Sequence, residues 1–144
     1  MKRLALPVLA SAITLLSLLF AAPAMAADTK ISARGSDFGT MIWAPKHQAA
    51  YMFAKDGPSR SRCYGACAKA WPPVLTDGSP RAGRGVEDAL LGTTKRRNGD
   101  LQVTYDGKPL YTYDHEGPDQ VLCHDIFLNG GWWYVIGPDG NRRP

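Results

Sequence analysis

The reactive side chains of this 144-residue sequence are few: Cys63 and Cys67, four residues apart, and Cys123 beside His124. Thiolates with an imidazole make a soft donor set that suits Cu(I) or Zn(II), so Cys63, Cys67, Cys123 and His124 are a candidate copper or zinc site. In an oxidising compartment the same three cysteines permit one disulfide and leave one thiol over. Closed metal sites usually show two close ligand pairs, and Cys123 and His124 are adjacent, so the disulfide without a cofactor is the first expectation and metal the alternative. A redox motif would be Cys-x-x-Cys opening a helix in a βαβ context, and here the spacing is Cys-x3-Cys. With no Ser/His/Asp array, Gly-rich phosphate loop or His-Glu-x-x-His helix in the sequence, the reading is non-enzymatic.

A second set of residues stands out by repetition. Tyr51, Phe53, Asp56, Gly57, Pro58 and Cys63 recur sixty residues later as Tyr111, Tyr113, Glu116, Gly117, Pro118 and Cys123, and each copy is followed by a tryptophan, Trp71 or Trp133. Two similar half-domains are expected. Residues i and i+2 share one side of a strand, so Tyr51/Phe53 and Tyr111/Tyr113 either build a common core or present a ligand-facing surface. Asp56 and Glu116 either accept hydrogen bonds from turn N–H groups or act as a pair if they lie within several Å. The remaining candidate contacts are Trp132, Trp133 and Tyr134. Neighbours on a strand face opposite sides, so one tryptophan belongs to the core and the other is an exposed anchor for a partner or a sugar.

The elements that hold these residues read as mostly β. Short β-branched and aromatic runs at Thr40–Trp43, Ala49–Phe53, Gly92–Arg96, Leu101–Tyr105, Pro109–Tyr113 and Trp132–Ile136 are bounded by turn residues. Asn98-Gly99 and Asp106-Gly107 tolerate the positive φ of tight hairpins, which makes 92–113 a three-stranded meander. Alternation in Leu101–Tyr105 points Leu101, Val103 and Tyr105 inward. Ala66, Ala68, Lys69 and Ala70 favour two short turns of helix near the Cys-x3-Cys segment, stopped by Pro72-Pro73. Thr76–Gly85 reads as a surface loop, and the chain from Gly137 on as a frayed end.

Lys2-Arg3, the apolar run Leu4–Phe20 and Ala24-Met25-Ala26 have the form of a signal peptide cut after Ala26. The apolar run is interrupted by Pro23 and falls short of a membrane span of about 20 residues. Residues 27–144 are then one small β-rich domain, with repeat 1 at about 39–75 and repeat 2 at about 92–137, exported to the periplasm or the medium and not integral to the membrane. Of the 17 lysines and arginines, Lys2 and Arg3 leave with the signal, so 15 face 13 acids, a net of +2. That balance argues against a nucleic-acid partner. Arg60/Arg62, Lys95-Arg96-Arg97 and Arg142-Arg143 could meet phosphates or anionic lipid heads, but with acids interspersed they read as solvated turn residues.

The segments Tyr51–Asp56, Cys63–Pro73 and Gln102–Tyr111 together resemble the bacterial secreted-repeat family of unknown function, predicted lipoproteins with a Y-x-[FWY]-x-x-D motif, over about Gly39 to Gly137. The resemblance implies an exported protein with two β-hairpin units and no assigned chemistry. It also places Cys63 and Cys67 together in the family motif, and residues four apart on a short helix or turn can approach the Cα separation a disulfide accepts, roughly 4.4–6.8 Å. Cys63–Cys67 is therefore the expected pair. Glu116 departs from the family's Asp, Cys123-His124 is an addition, and no cysteine lies near the expected cut, so the lipid anchor of many members is not carried over. The functional expectation is a binding or envelope-associated module whose partner is an envelope protein or a small ligand. The rivals are a copper, zinc or redox protein and a purely structural envelope protein.

Overall fold

The computed structural model describes residues 29–144, so the expected signal segment 1–26 lies outside the described residues. The chain opens with an antiparallel hairpin of β1 (Lys30–Ser36) and β2 (Gly39–Ala44). A 3-10 turn over Pro45–His47 brings back β3 (Gln48–Ala49), which pairs with β2, and β4 (Tyr51–Phe53) follows. After α1 (Ala66–Ala70), the single α-helix among the described residues, come β5 (Leu75–Thr76) and β6 (Arg81–Ala82). The second half holds β7 (Leu91–Lys95), β8 (Leu101–Tyr105), β9 (Lys108–Pro109), β10 (Ile126–Leu128) and β11 (Gly131–Val135). Three small sheets result, in the orders β3-β2-β1-β6, β10-β11-β4 and β5-β8-β7, with β9 also on β8. Among the described residues no helix is long and apolar enough to cross a membrane.

The mostly β expectation holds, and so does the short helix. Trp71 closes α1 by donating its N–H to the Cys67 carbonyl, and Pro72 and Pro73 prevent another turn. The Asp106-Gly107 turn takes positive φ at both residues, 47° and 69°, as a two-residue hairpin requires. At the other meander turn only Gly99 does, at 94°, and the Arg96 and Asp100 backbones close a longer loop.

Four details differ from expectation. The third meander strand stops at Pro109, because Leu110–Asp114 turns away to bond with Ala70–Val74. Gln102 and Thr104 are buried together with Val103 and Tyr105, since β8 has strands on both edges and packed groups on both faces. Within 76–85, Arg81–Ala82 is a strand, running parallel to Lys30–Ile31. The end of the chain folds back instead of fraying: Ile136 bridges to Arg142, Gly137 N–H donates to the Asn141 carbonyl, and Arg143 pairs with Asp139.

Candidate functional site

The repeated residues meet at the join between the two copies through a set of reciprocal contacts. Tyr51 and Tyr111 exchange backbone hydrogen bonds of 2.8 and 3.0 Å. The Tyr51 hydroxyl donates to Glu116 of the second copy at 2.5 Å, and the Tyr111 hydroxyl donates to Asp56 of the first at 2.8 Å. Phe53 stacks on Trp133 and Tyr113 leans on Trp71, at centroid distances of 4.2 and 4.6 Å. The two tryptophans stack on each other at 3.8 Å with planes 4° apart. Backbone pairing crosses in the same way. The segment around Trp133 pairs with Tyr51–Phe53, and the segment following α1 pairs with Leu110–Asp114.

This geometry explains the motif spacing. Tyr and the second aromatic share one face of a strand, and the acid three residues later sits past a turn in which its own N–H bonds back to that aromatic's carbonyl. Each acid also caps the backbone six residues on: Asp56 accepts from the Arg62 N–H at 2.7 Å and Glu116 from the Leu122 N–H at 2.6 Å. The two carboxylates make no hydrogen bond with each other. Tyr51, Phe53, Tyr111 and Trp133 are fully buried or nearly so, Glu116 is buried, and Asp56 and Tyr113 are half-buried.

The surroundings of the two acids differ. Burial pushes the Asp56 carboxyl up to about 6, while the Arg62 amide, the Tyr111 hydroxyl and the Arg96 and Arg62 charges pull the other way. Burial also raises Glu116, against the Tyr51 hydroxyl and the Leu122 and Cys123 amides, and its Oε2 is buried without a partner. Tyr111 is linked through Ser61 to Arg96, which donates to Ser61 Oγ, Gln102 Oε1 and the Cys63 carbonyl at 3.0, 2.6 and 2.7 Å.

Cys63 and Cys67 form the disulfide, with Cα atoms 5.3 Å apart, and Cys123 is a buried free thiol. That bond takes apart the alternative copper or zinc set. Burial and the Glu116 charge raise the Cys123 thiol, with Tyr113 pulling the other way. His124 Nδ1 accepts from the Val135 N–H at 3.1 Å, so its Nε2 carries the proton and donates to the Pro144 carbonyl at 3.0 Å. Among the described residues no three His, Cys, Asp or Glu side chains gather where a metal could sit.

Among the described residues the exposed aromatic side chains, Phe127 and Trp132, lie side by side on β10 and β11. Trp133 is fully buried and its neighbour Trp132 is 44 % exposed, as adjacent strand positions require. Tyr134, half-buried, lies on Trp132's side, with rings 6.4 Å apart and 19° from parallel, and the Arg142 guanidinium sits 4.8 Å over it. Phe127, 56 % exposed, pairs across from Trp132 and meets its ring edge-on at 5.6 Å. Reading the sequence missed Phe127 and took Arg142 as a solvated turn residue, where the structure sets it over Tyr134. Asn129-Gly130, with φ of 49° and 80°, is the hairpin signal that would have placed Phe127 opposite Trp132. Gly131 lies so close against the Phe53 ring that a Cβ there would collide with it.

A family model described as a secreted repeat of unknown function matches residues 32–75 and 92–123. No curated protein and no solved structure matches the chain.

Proposed function

We propose, from the premise that this chain belongs to the secreted-repeat family of unknown function, that it is an exported, non-enzymatic binding module whose outer β10-β11-β4 face takes up a glycan of the cell envelope. The family's description as secreted supports the compartment, and the choice between periplasm and medium depends on the host envelope. Sugar rings present flat faces of C–H groups framed by hydroxyls. A tryptophan and a tyrosine i, i+2 on one strand offer the matching surface, large, apolar and with few rotatable bonds, each with a polar group at its rim. The observation that carries the reading is the exposure of Trp132 in contact with exposed Phe127, while the next residue, Trp133, is sealed in the core. Two touching, exposed aromatic side chains on a small domain mark a contact surface.

Two substitutions separate the roles. Trp132→Ala should melt like the parent chain and lose calorimetric binding to soluble cell-wall oligosaccharides. Trp133→Ala removes a stacked, fully buried ring and should cost about 3–5 kcal/mol of stability. Unchanged oligosaccharide binding by Trp132→Ala, or equal destabilisation by both changes, would end the proposal.

A further inference from the structure

Two of the three basic clusters that look separate in the sequence, Arg60/Arg62 and Lys95-Arg96-Arg97, share one cleft. The segment 60–64 and the end of β7 enclose about 500 Å³ lined by Arg60, Ser61, Arg62, Tyr64, Lys95, Arg96 and Arg97. Five of those seven residues are cations and none is an acid. Their convergence is built into the fold. The turn bearing Arg60 is closed by paired Gly57 and Arg60 backbones, donates the Ser59 N–H to the Gly107 carbonyl, and accepts from Thr94 Oγ1 of β7 at 2.5 Å. Arg96, 7 % exposed, ties the two walls together through Ser61 and the Cys63 carbonyl. The Tyr64 ring lies against the guanidinium groups of Arg96 and Arg97, at 4.4 and 4.1 Å. The Asp56 carboxylate, which feels the Arg62 and Arg96 charges, is engaged by the Arg62 N–H and the Tyr111 hydroxyl. Among the described residues Arg60, Arg62, Lys95 and Arg97 are exposed and in no ion pair.

We propose that this cleft is an anion site for a phosphate-bearing ligand. Four exposed like charges held together, none of them in an ion pair, repel one another, and an anion relieves that repulsion. Guanidinium groups match phosphate oxygens in pairs. The cleft has room for more than one such group. The site is independent of the aromatic face. Its ligand is either a soluble phosphate compound or the phosphate of a lipid headgroup, since both present the same oxygens.

The test is titration of the protein, in low-salt buffer free of phosphate, with inorganic pyrophosphate and separately with phosphatidylglycerol or phosphatidylcholine vesicles. Expected is saturable binding that weakens as salt is raised, seen as NMR shifts confined to residues 60–64 and 95–97. Pyrophosphate binding assigns a soluble ligand. Binding to phosphatidylglycerol alone assigns a lipid phosphate. Arg62→Gln and Arg97→Gln, both at exposed positions, should each weaken the interaction about tenfold while melting as the parent does, and Trp132→Ala should leave it unchanged. No saturable binding to either probe, or binding by both arginine variants as tight as the parent's, overturns the proposal.

Discussion

Asp56 and Glu116 occupy equivalent places in the two copies, and only Asp56 has a buried cation near it. Arg96 reaches its neighbourhood through Ser61 and Tyr111, whereas Glu116 has a tyrosine, two amides and an unpartnered oxygen. A hydrogen bond to a charged group contributes on the order of 1.5–3 kcal/mol, so the two Tyr–acid links matter to stability while burial makes ionisation of each acid costly. For Asp56 the ordinary value of 3.8 and the folded value of about 6 set the window. Inside it the folded chain keeps a proton that the unfolded chain has released, so this contribution is full below about 4 and is lost as pH rises through about 6. Glu116, raised in the same direction, has the same sign. Denaturant melts stepped from pH 4 to pH 7 should therefore show stability falling with pH, and Asp56→Asn should flatten the fall. An equally steep decline in Asp56→Asn would place the titrating group elsewhere.

At the scale of elements, α1 carries the disulfide and its counterpart in the second copy does not. Sixty residues beyond Cys63 stands Cys123, but sixty beyond Cys67 stands Phe127 on β10. Thiol titration should find no fast-reacting group in the folded protein and one per chain after denaturation, namely Cys123. Replacing Cys63 and Cys67 by Ser should cost about 2 kcal/mol, the loop-closure value for so few residues. A count of three thiols would contradict the bond. The strands Leu101–Tyr105 and Trp132–Val135 and the helix at Ala66–Ala70 were legible because alternation, alanine content and the Pro72-Pro73 stop are local signals. β1 was not, because Lys30–Ser36 is small and polar with one β-branched apolar residue, and its strand state comes from pairing with β2 and β6. Nor could spacing alone place Phe53 against Trp133, or bring Arg62 and Arg97 to one cleft. Those placements belong to the way the copies cross.

For the molecule as a whole, that crossing means that neither copy has its full set of strand partners alone. Tyr51–Phe53 needs Trp133–Val135, and Leu110–Asp114 needs Ala70–Val74. Peptides 29–85 and 86–144 should each give collapsed amide NMR spectra when separate and recover dispersion when mixed. A dispersed spectrum from either peptide by itself would show that a copy folds independently. Contacts spanning sixty residues or more also predict slower folding than local hairpins would give. Reciprocal contacts of this kind are what two identical chains make about a two-fold axis, where any substitution falls on both sides at once. Joining the copies in one polypeptide lifts that constraint. One half can hold its loop with a disulfide and a buried arginine while the other gives the equivalent position to a surface phenylalanine. Covalent linkage thus lets a symmetric scaffold carry two unlike faces, one cationic and one aromatic, on a single shared core.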